Sequence, residues 1–183
     1  MYSITDLIRA YQEPHRKYHN LNHIVYMLNT AEKNKQHLSD QQILAIWYHD
    51  FVYNPISSLN EEDSSFKACK QLMAEGYHTE FIFIVSKIIM DTKEHLPTHE
   101  QSKLVIDLDL ASLAEPEDVY IETGHKIRTE FSHLNDEQWE LGRSKFISKF
   151  LGRPTIFHSA WGLEKLEYKA RENLNNERIR LGF

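Results

Sequence analysis

Phe81-Ile82-Phe83-Ile84-Val85 is the stretch on which the fold turns, because two signals in it disagree. A run of β-branched and aromatic residues favours a strand. Yet Ile84, Val85, Ile88 and Ile89 continue through it at the three- and four-residue spacing of a helix face. A strand also needs a partner for its backbone, and no second segment of the chain reads clearly as one. A helix is therefore expected here, and the chain as a whole reads as all-α.

The flanking sequence agrees. Glycine (6) and proline (5) are few, and apolar residues recur at helical spacing on both sides. A first helix is expected from Ile4 to near Gln12, ahead of Pro14. A second should run from near His19 to near Gln36 with Leu21, Ile24, Leu28 and Ala31 on one face. Ser39 or Asp40 can cap a third, which carries His49-Asp50 and ends before Pro55. Asn60-Glu61-Glu62-Asp63 opens a fourth, its acids suited to the positive end of the helix dipole, and Gly76 closes it. Later helices are expected over Glu100–Leu113, Glu117–Phe131, Asp136–Leu151 (capped by Asn135 or Asp136) and Trp161–Arg180, the last with a solvated face of pairs such as Glu167 with Arg171. No repeat or linker marks a boundary, so residues 1–183 read as one domain.

Composition narrows the function. The single cysteine, Cys69, excludes an internal disulfide framework and fits a reducing, cytoplasmic setting. Neither a leader-like N-terminus nor a run long enough to span a bilayer is evident, so no membrane is expected. A net charge of -6 argues against duplex nucleic acid, whose phosphates need a basic surface. Neither a phosphate-cradling glycine loop nor a Gly-x-Ser-x-Gly or His-Glu-x-x-His motif occurs.

What remains is His49-Asp50, embedded in Ile43-Leu44-Ala45-Ile46-Trp47-Tyr48-His49-Asp50-Phe51-Val52-Tyr53. An ionised carboxylate in so apolar a setting must be paired, hydrogen-bonded or bound to a metal. Candidate partners are His23 upstream and Asp107 and Asp109 downstream. The two aspartates are about 200° apart on a helix, so one ion is not expected to hold both. Imidazoles and carboxylates together suit manganese, iron, nickel, magnesium or zinc, and open positions around such an ion serve metal-assisted hydrolysis.

Together with these residues, the longer strings Glu13-Pro14-His15-Arg16-Lys17-Tyr18-His19-Asn20-Leu21-Asn22-His23-Ile24, Asn60-Glu61-Glu62-Asp63-Ser64 and Ile106-Asp107-Leu108-Asp109-Leu110-Ala111 resemble the HD superfamily of metal-dependent phosphohydrolases. Within it the likeness is to the small predicted HD-type hydrolases with no assigned substrate, and it extends through Gly142-Arg143 to Ala170-Arg171-Glu172-Asn173-Leu174. The resemblance implies a helical bundle that holds a divalent metal ion through His23, His49, Asp50 and a last aspartate. Asp109 is favoured, since the superfamily's final aspartate usually precedes a Leu/Ala run. Asp107 is the alternative, or an acceptor behind a ligand imidazole. His95 would be a ligand to a second metal.

The expected partner is a small phosphorylated metabolite, a nucleotide among them, with the oligomeric state left open, a homodimer included. Arg16 and His19 are expected to bind its phosphate, and Asp50, His19 and Glu62 (or its neighbour Glu61) to carry the chemistry. Asp91, His95 and His99 are expected to follow the fifth helix; His15 and His99 read more simply as surface or loop residues. Two other readings stay open: a di-iron oxygenase on the same scaffold, and a non-catalytic sensor that binds a nucleotide.

Overall fold

The computed structural model describes residues 4–183, and every regular element among them is helical. None of these helices is long and apolar enough to cross a membrane. The chain groups into two compact units, Met1–Asp109 and Leu110–Phe183, a division that no linker or shift in composition marks in the sequence.

The first unit contains α1 (Ile4–Ala10), α2 (Leu21–Lys33), α3 (Asp40–Tyr48), α4 (Asn60–Ala74), α5 (Thr79–Glu94) and α6 (Ser102–Asp109). The disputed stretch lies in α5, which packs against α3, α4 and α6. It buries Ile82, Val85, Ile88 and Ile89 on one side and leaves Phe83 on the other. A β-branched residue costs a few tenths of a kcal/mol in helix propensity, whereas burying its side chain gains about 1.5–3 kcal/mol. Burial decides, because a helix puts four of these side chains on one interior face. Ile24, Met27, Ala45, Ile46, Ala68, Leu72, Val105, Ile106 and Leu108 are buried in the same unit.

The helix ends position the site. Ser39 caps α3 in a reciprocal pair with Gln42. Regular helix then stops at Tyr48, well before Pro55, so the His49-Asp50 doublet sits at the helix's C-terminal end and not within it. Beyond that end the chain is held from outside: Val52 N–H donates to Ser64 Oγ, and the carbonyls of Asp50 and Phe51 accept from Arg16. Asn20 caps α2, which leaves His19 ahead of the helix rather than one turn before His23 on its face. Gly76 follows α4 with φ of +83°, and its N–H and that of Tyr77 return to the carbonyls of Met73 and Leu72. A left-handed residue with those two bonds is the expected glycine stop.

The second unit begins with a 3₁₀ turn, Leu110–Ala114, where a continuous helix to Leu113 is expected from the sequence. It continues through α7 (Glu117–Glu130), α8 (Asp136–Leu151), α9 (Ala160–Lys165) and α10 (Glu167–Leu181). Asn135 caps α8 in a reciprocal pair with Gln138. Arg143 forks onto Glu177 at 2.7 and 2.9 Å and also donates to the Tyr120 hydroxyl, so α7, α8 and α10 share one buried polar link. The expected last helix is broken at Leu166. Glu167 and Arg171 do pair, but they are not a solvated face. Glu167 accepts the N–H groups of Ile156 and Phe157, while Arg171 donates to the carbonyls of Leu151, Arg153 and Pro154. They fasten the loop after α8.

Candidate metal centre

Three helix ends in the first unit deliver side chains to one point. His23 lies in the first turn of α2, His49 just past α3, and Asp109 is the last residue of α6. One donor atom from each falls within 4.8 Å of the other two. His23 Nε2 is 2.9 Å from Asp109 Oδ1, and His49 Nε2 is 3.7 Å from the same oxygen. For bonds of about 2.1 Å, neighbouring donors of an octahedral ion lie about 3 Å apart and those of a tetrahedral ion about 3.4 Å. The 2.9 Å pair matches the octahedral spacing, and the 3.7 Å pair is a few tenths of an ångström wider than the tetrahedral one.

The strongest local observation concerns His49. Its Nδ1 donates to the Ile46 carbonyl at 2.9 Å, which leaves Nε2 to face the cluster. That Nε2 is buried and makes no aligned hydrogen bond, although Asp50 Oδ2 lies 3.1 Å away. A ligand imidazole is characteristically fixed by a bond from its other nitrogen to a carbonyl. Asp50 thus stands beside His49 but outside the tightest group of three, with Asp109 supplying the carboxylate within it. Asp107 is fully buried and is not among the converging donors.

His95 approaches from another side. It follows α5 in the left-handed region, at φ 51° and ψ 47°, where a histidine is uncommon. Its Nε2 is 3.2 Å from Asp109 Oδ2, so the two oxygens of Asp109 face different histidines. The loop that carries His95 is fixed by Asp91, whose carboxylate accepts both the N–H (2.7 Å) and the hydroxyl (2.8 Å) of Thr98. His99 accepts the N–H of Gln101 and belongs to the same loop framework.

The secondary candidates separate clearly. Arg16, expected at the phosphate, has no exposed side-chain surface, and its guanidinium donates to Glu13, His19, Asp50 and Phe51. Its donors serve the framework around the cluster. The His19 ring stacks on Tyr53 at 4.5 Å, lies 6.1 Å from the His23 ring and stabilises the charge of Asp50. His15 bonds the Tyr53 carbonyl from the exposed side. Glu62 is paired with Lys93, which also donates to the Ser58 carbonyl and holds the Glu62 pKa down. Glu61 is half-buried; burial and then the charge of Asp50 raise its pKa, against its own backbone N–H. Cys69 is only partly buried on α4.

Opposed charges dominate the cluster. Burial disfavours a charged His49, but Asp50 and then Asp109 outweigh it and raise the imidazole pKa to about 9. Burial likewise opposes ionised Asp50 and Asp109, yet His49 lowers the first, and hydrogen bonds from His23 and His95 lower the second well below the usual carboxylate range. The His49 contribution to metal-free stability is thus complete below its ordinary value of 6.5 and is lost as pH rises through about 9. The carboxylate contributions run the other way, present above about pH 4 and lost on acidification. Metal uptake near pH 7.5 is accordingly expected to release about one proton per ion. The check is calorimetric enthalpy plotted against buffer ionisation enthalpy; a slope of zero contradicts a protonated His49.

No family model, curated protein or solved structure matches this chain. The functional reading therefore stands on the residues and their geometry. The sequence reading had no signal for the framework role of Arg16 or for the stacking of His19 on Tyr53. The left-handed turn at His95 is equally hidden, because neither glycine nor asparagine occupies it.

Proposed function

We propose that the protein is a metal-dependent phosphohydrolase of the HD type, acting on a small phosphorylated metabolite such as a nucleotide. The observation that carries this reading is the convergence of His23 Nε2, His49 Nε2 and the Asp109 carboxylate at one point, with Asp50 Oδ2 3.1 Å from the buried His49 Nε2. Two imidazoles with one or two carboxylates suit manganese, iron, nickel or zinc, with magnesium less favoured by the nitrogen donors. A divalent ion bound there would supply Lewis acidity and lower the pKa of water at neutral pH. His23, His49 and Asp109 would hold it, with Asp50 completing the set.

The chain's own residues then divide the remaining work. Glu61, half-buried and within the field of the Asp50 charge, is the better candidate to accept a proton, since Glu62 is occupied by Lys93. His19 stands at the edge of the cluster with its ring steadied by Tyr53, suited to protonate a leaving oxygen or to contact phosphate. A second reading, oxygen chemistry at two irons, draws on His95 beside the outer oxygen of Asp109.

The test begins with metal analysis of the protein as purified, followed by a phosphoester panel with Mn²⁺, Mg²⁺, Ni²⁺ and Zn²⁺. Turnover with at least one metal, abolished by chelator, is expected. Absence of both bound metal and turnover refutes the proposal. Oxygen consumption by iron-loaded protein favours the second reading, and nucleotide binding without turnover under every metal favours a sensor.

A further inference from the structure

Arg16 joins the two chain segments that bring His23 and the His49-Asp50 doublet to the cluster. One amino group of its guanidinium donates to the His19 carbonyl at 3.2 Å and to the Asp50 carbonyl at 2.6 Å. The other donates to the Phe51 carbonyl at 3.1 Å, and Nε donates to Glu13 Oε2 at 2.9 Å. Tyr11 and Tyr53 flank the guanidinium, with ring centres 5.2 and 5.3 Å from its carbon. The side chain is closed to solvent.

We infer that Arg16 is a positioning residue of the metal centre, fixing the direction in which the Asp50 carboxylate leaves the backbone. The inference rests on reading the His23, His49 and Asp109 cluster as a metal centre. Regular helix ends at Tyr48, so the carbonyls of Asp50 and Phe51 lie beyond the α-helical ladder. Arg16 gives both a fixed donor. The same fork holds His19, next to the Asn20 cap that starts α2 and sets the place of His23. Functional constellations need their groups held within about 0.5 Å and 10–20°. A planar, five-donor cation can span four acceptors in one geometry, whereas a lysine offers a single nitrogen.

The experiment measures Mn²⁺ affinity by calorimetry for the full-length wild type, Arg16→Lys and Arg16→Ala, the last with and without millimolar methylguanidinium. Leu72→Val is the control: a core change eleven residues along α4 from Glu61, about 16 Å by helical rise. Affinity is expected to fall by roughly 10- to 100-fold in both Arg16 variants, with helical circular dichroism retained. Methylguanidinium should restore part of the loss in Arg16→Ala alone. Wild-type affinity in Arg16→Lys, absence of rescue, or an equal loss in Leu72→Val overturns the inference. Loss of the helical signal in both Arg16 variants also overturns it, since Arg16 is then a general folding residue. If the wild type itself binds no Mn²⁺, Mg²⁺, Ni²⁺ or Zn²⁺, the metal reading fails and takes the inference with it. Binding by the wild type that Arg16 does not affect removes the inference alone.

Discussion

Asp109→Asn is expected to weaken metal binding on the order of 10³-fold and to abolish turnover, while helical content is retained. One oxygen of Asp109 faces His23 and His49 and the other faces His95, so a single carboxylate serves three imidazoles. At an effective dielectric of about 20, two unit charges about 4 Å apart interact by about 4 kcal/mol, which corresponds to roughly 10³ in affinity. The amide preserves shape and one acceptor but loses that charge. Asp107→Asn is the internal comparison: it alters a fully buried aspartate two residues away that does not converge with the other donors. Calorimetry with Mn²⁺ on both variants decides the point. A larger loss at Asp107 than at Asp109 overturns the assignment.

The second large effect concerns the pair of glutamates at the start of α4. Under the proposed hydrolysis, Glu61→Gln is expected to lower kcat by roughly 10²- to 10⁴-fold with metal affinity nearly unchanged, the range lost with a general base. Glu62→Gln should change kcat by less than about tenfold. Burial and Asp50 move the Glu61 pKa upward, toward the pH at which a base can both be ionised and accept a proton. Glu62 is displaced in the opposite direction by its hydrogen bond from Lys93. Steady-state kinetics on the best substrate of the phosphoester panel separate the two. A dominant loss in Glu62→Gln would restore the choice suggested by sequence alone.

The contrast between those glutamates shows where sequence reading stops. Two adjacent acids at a helix start are hard to tell apart on paper; the placement of Lys93 on α5 and the burial of Glu61 near the charge of Asp50 distinguish them. The helix at Phe81–Val85 was legible because periodicity reports burial directly, and burial outweighs the propensity that argued for a strand. Likewise, the apolar setting of His49-Asp50 signalled a need for partners, and His23 and Asp109 are found beside them. The early end of α3 was not legible, because long-range contacts through Arg16 and Ser64 shape the chain beyond it. The charge of Arg16 is visible in a sequence, whereas the distant Asp50 and Phe51 carbonyls that its guanidinium serves are not. The loop after α8 follows the same rule: Glu167 and Arg171 form the expected pair, but both also serve backbone groups more than ten residues or so away.

The support beneath the cluster and the cluster itself obey different chemistries. A guanidinium keeps its charge across the whole range in which proteins fold, so its grip on the Asp50 and Phe51 carbonyls has no titration of its own. His49, by contrast, takes up and gives off a proton as the pH passes through about 9, and below that its imidazole is charged and closed to a metal until that proton leaves. Mild acid should therefore empty the centre without dismantling the scaffold, and neutralisation should refill it without a folding step. The protein would then behave as a reusable mount, its occupant chosen by pH and by whichever divalent ion is at hand.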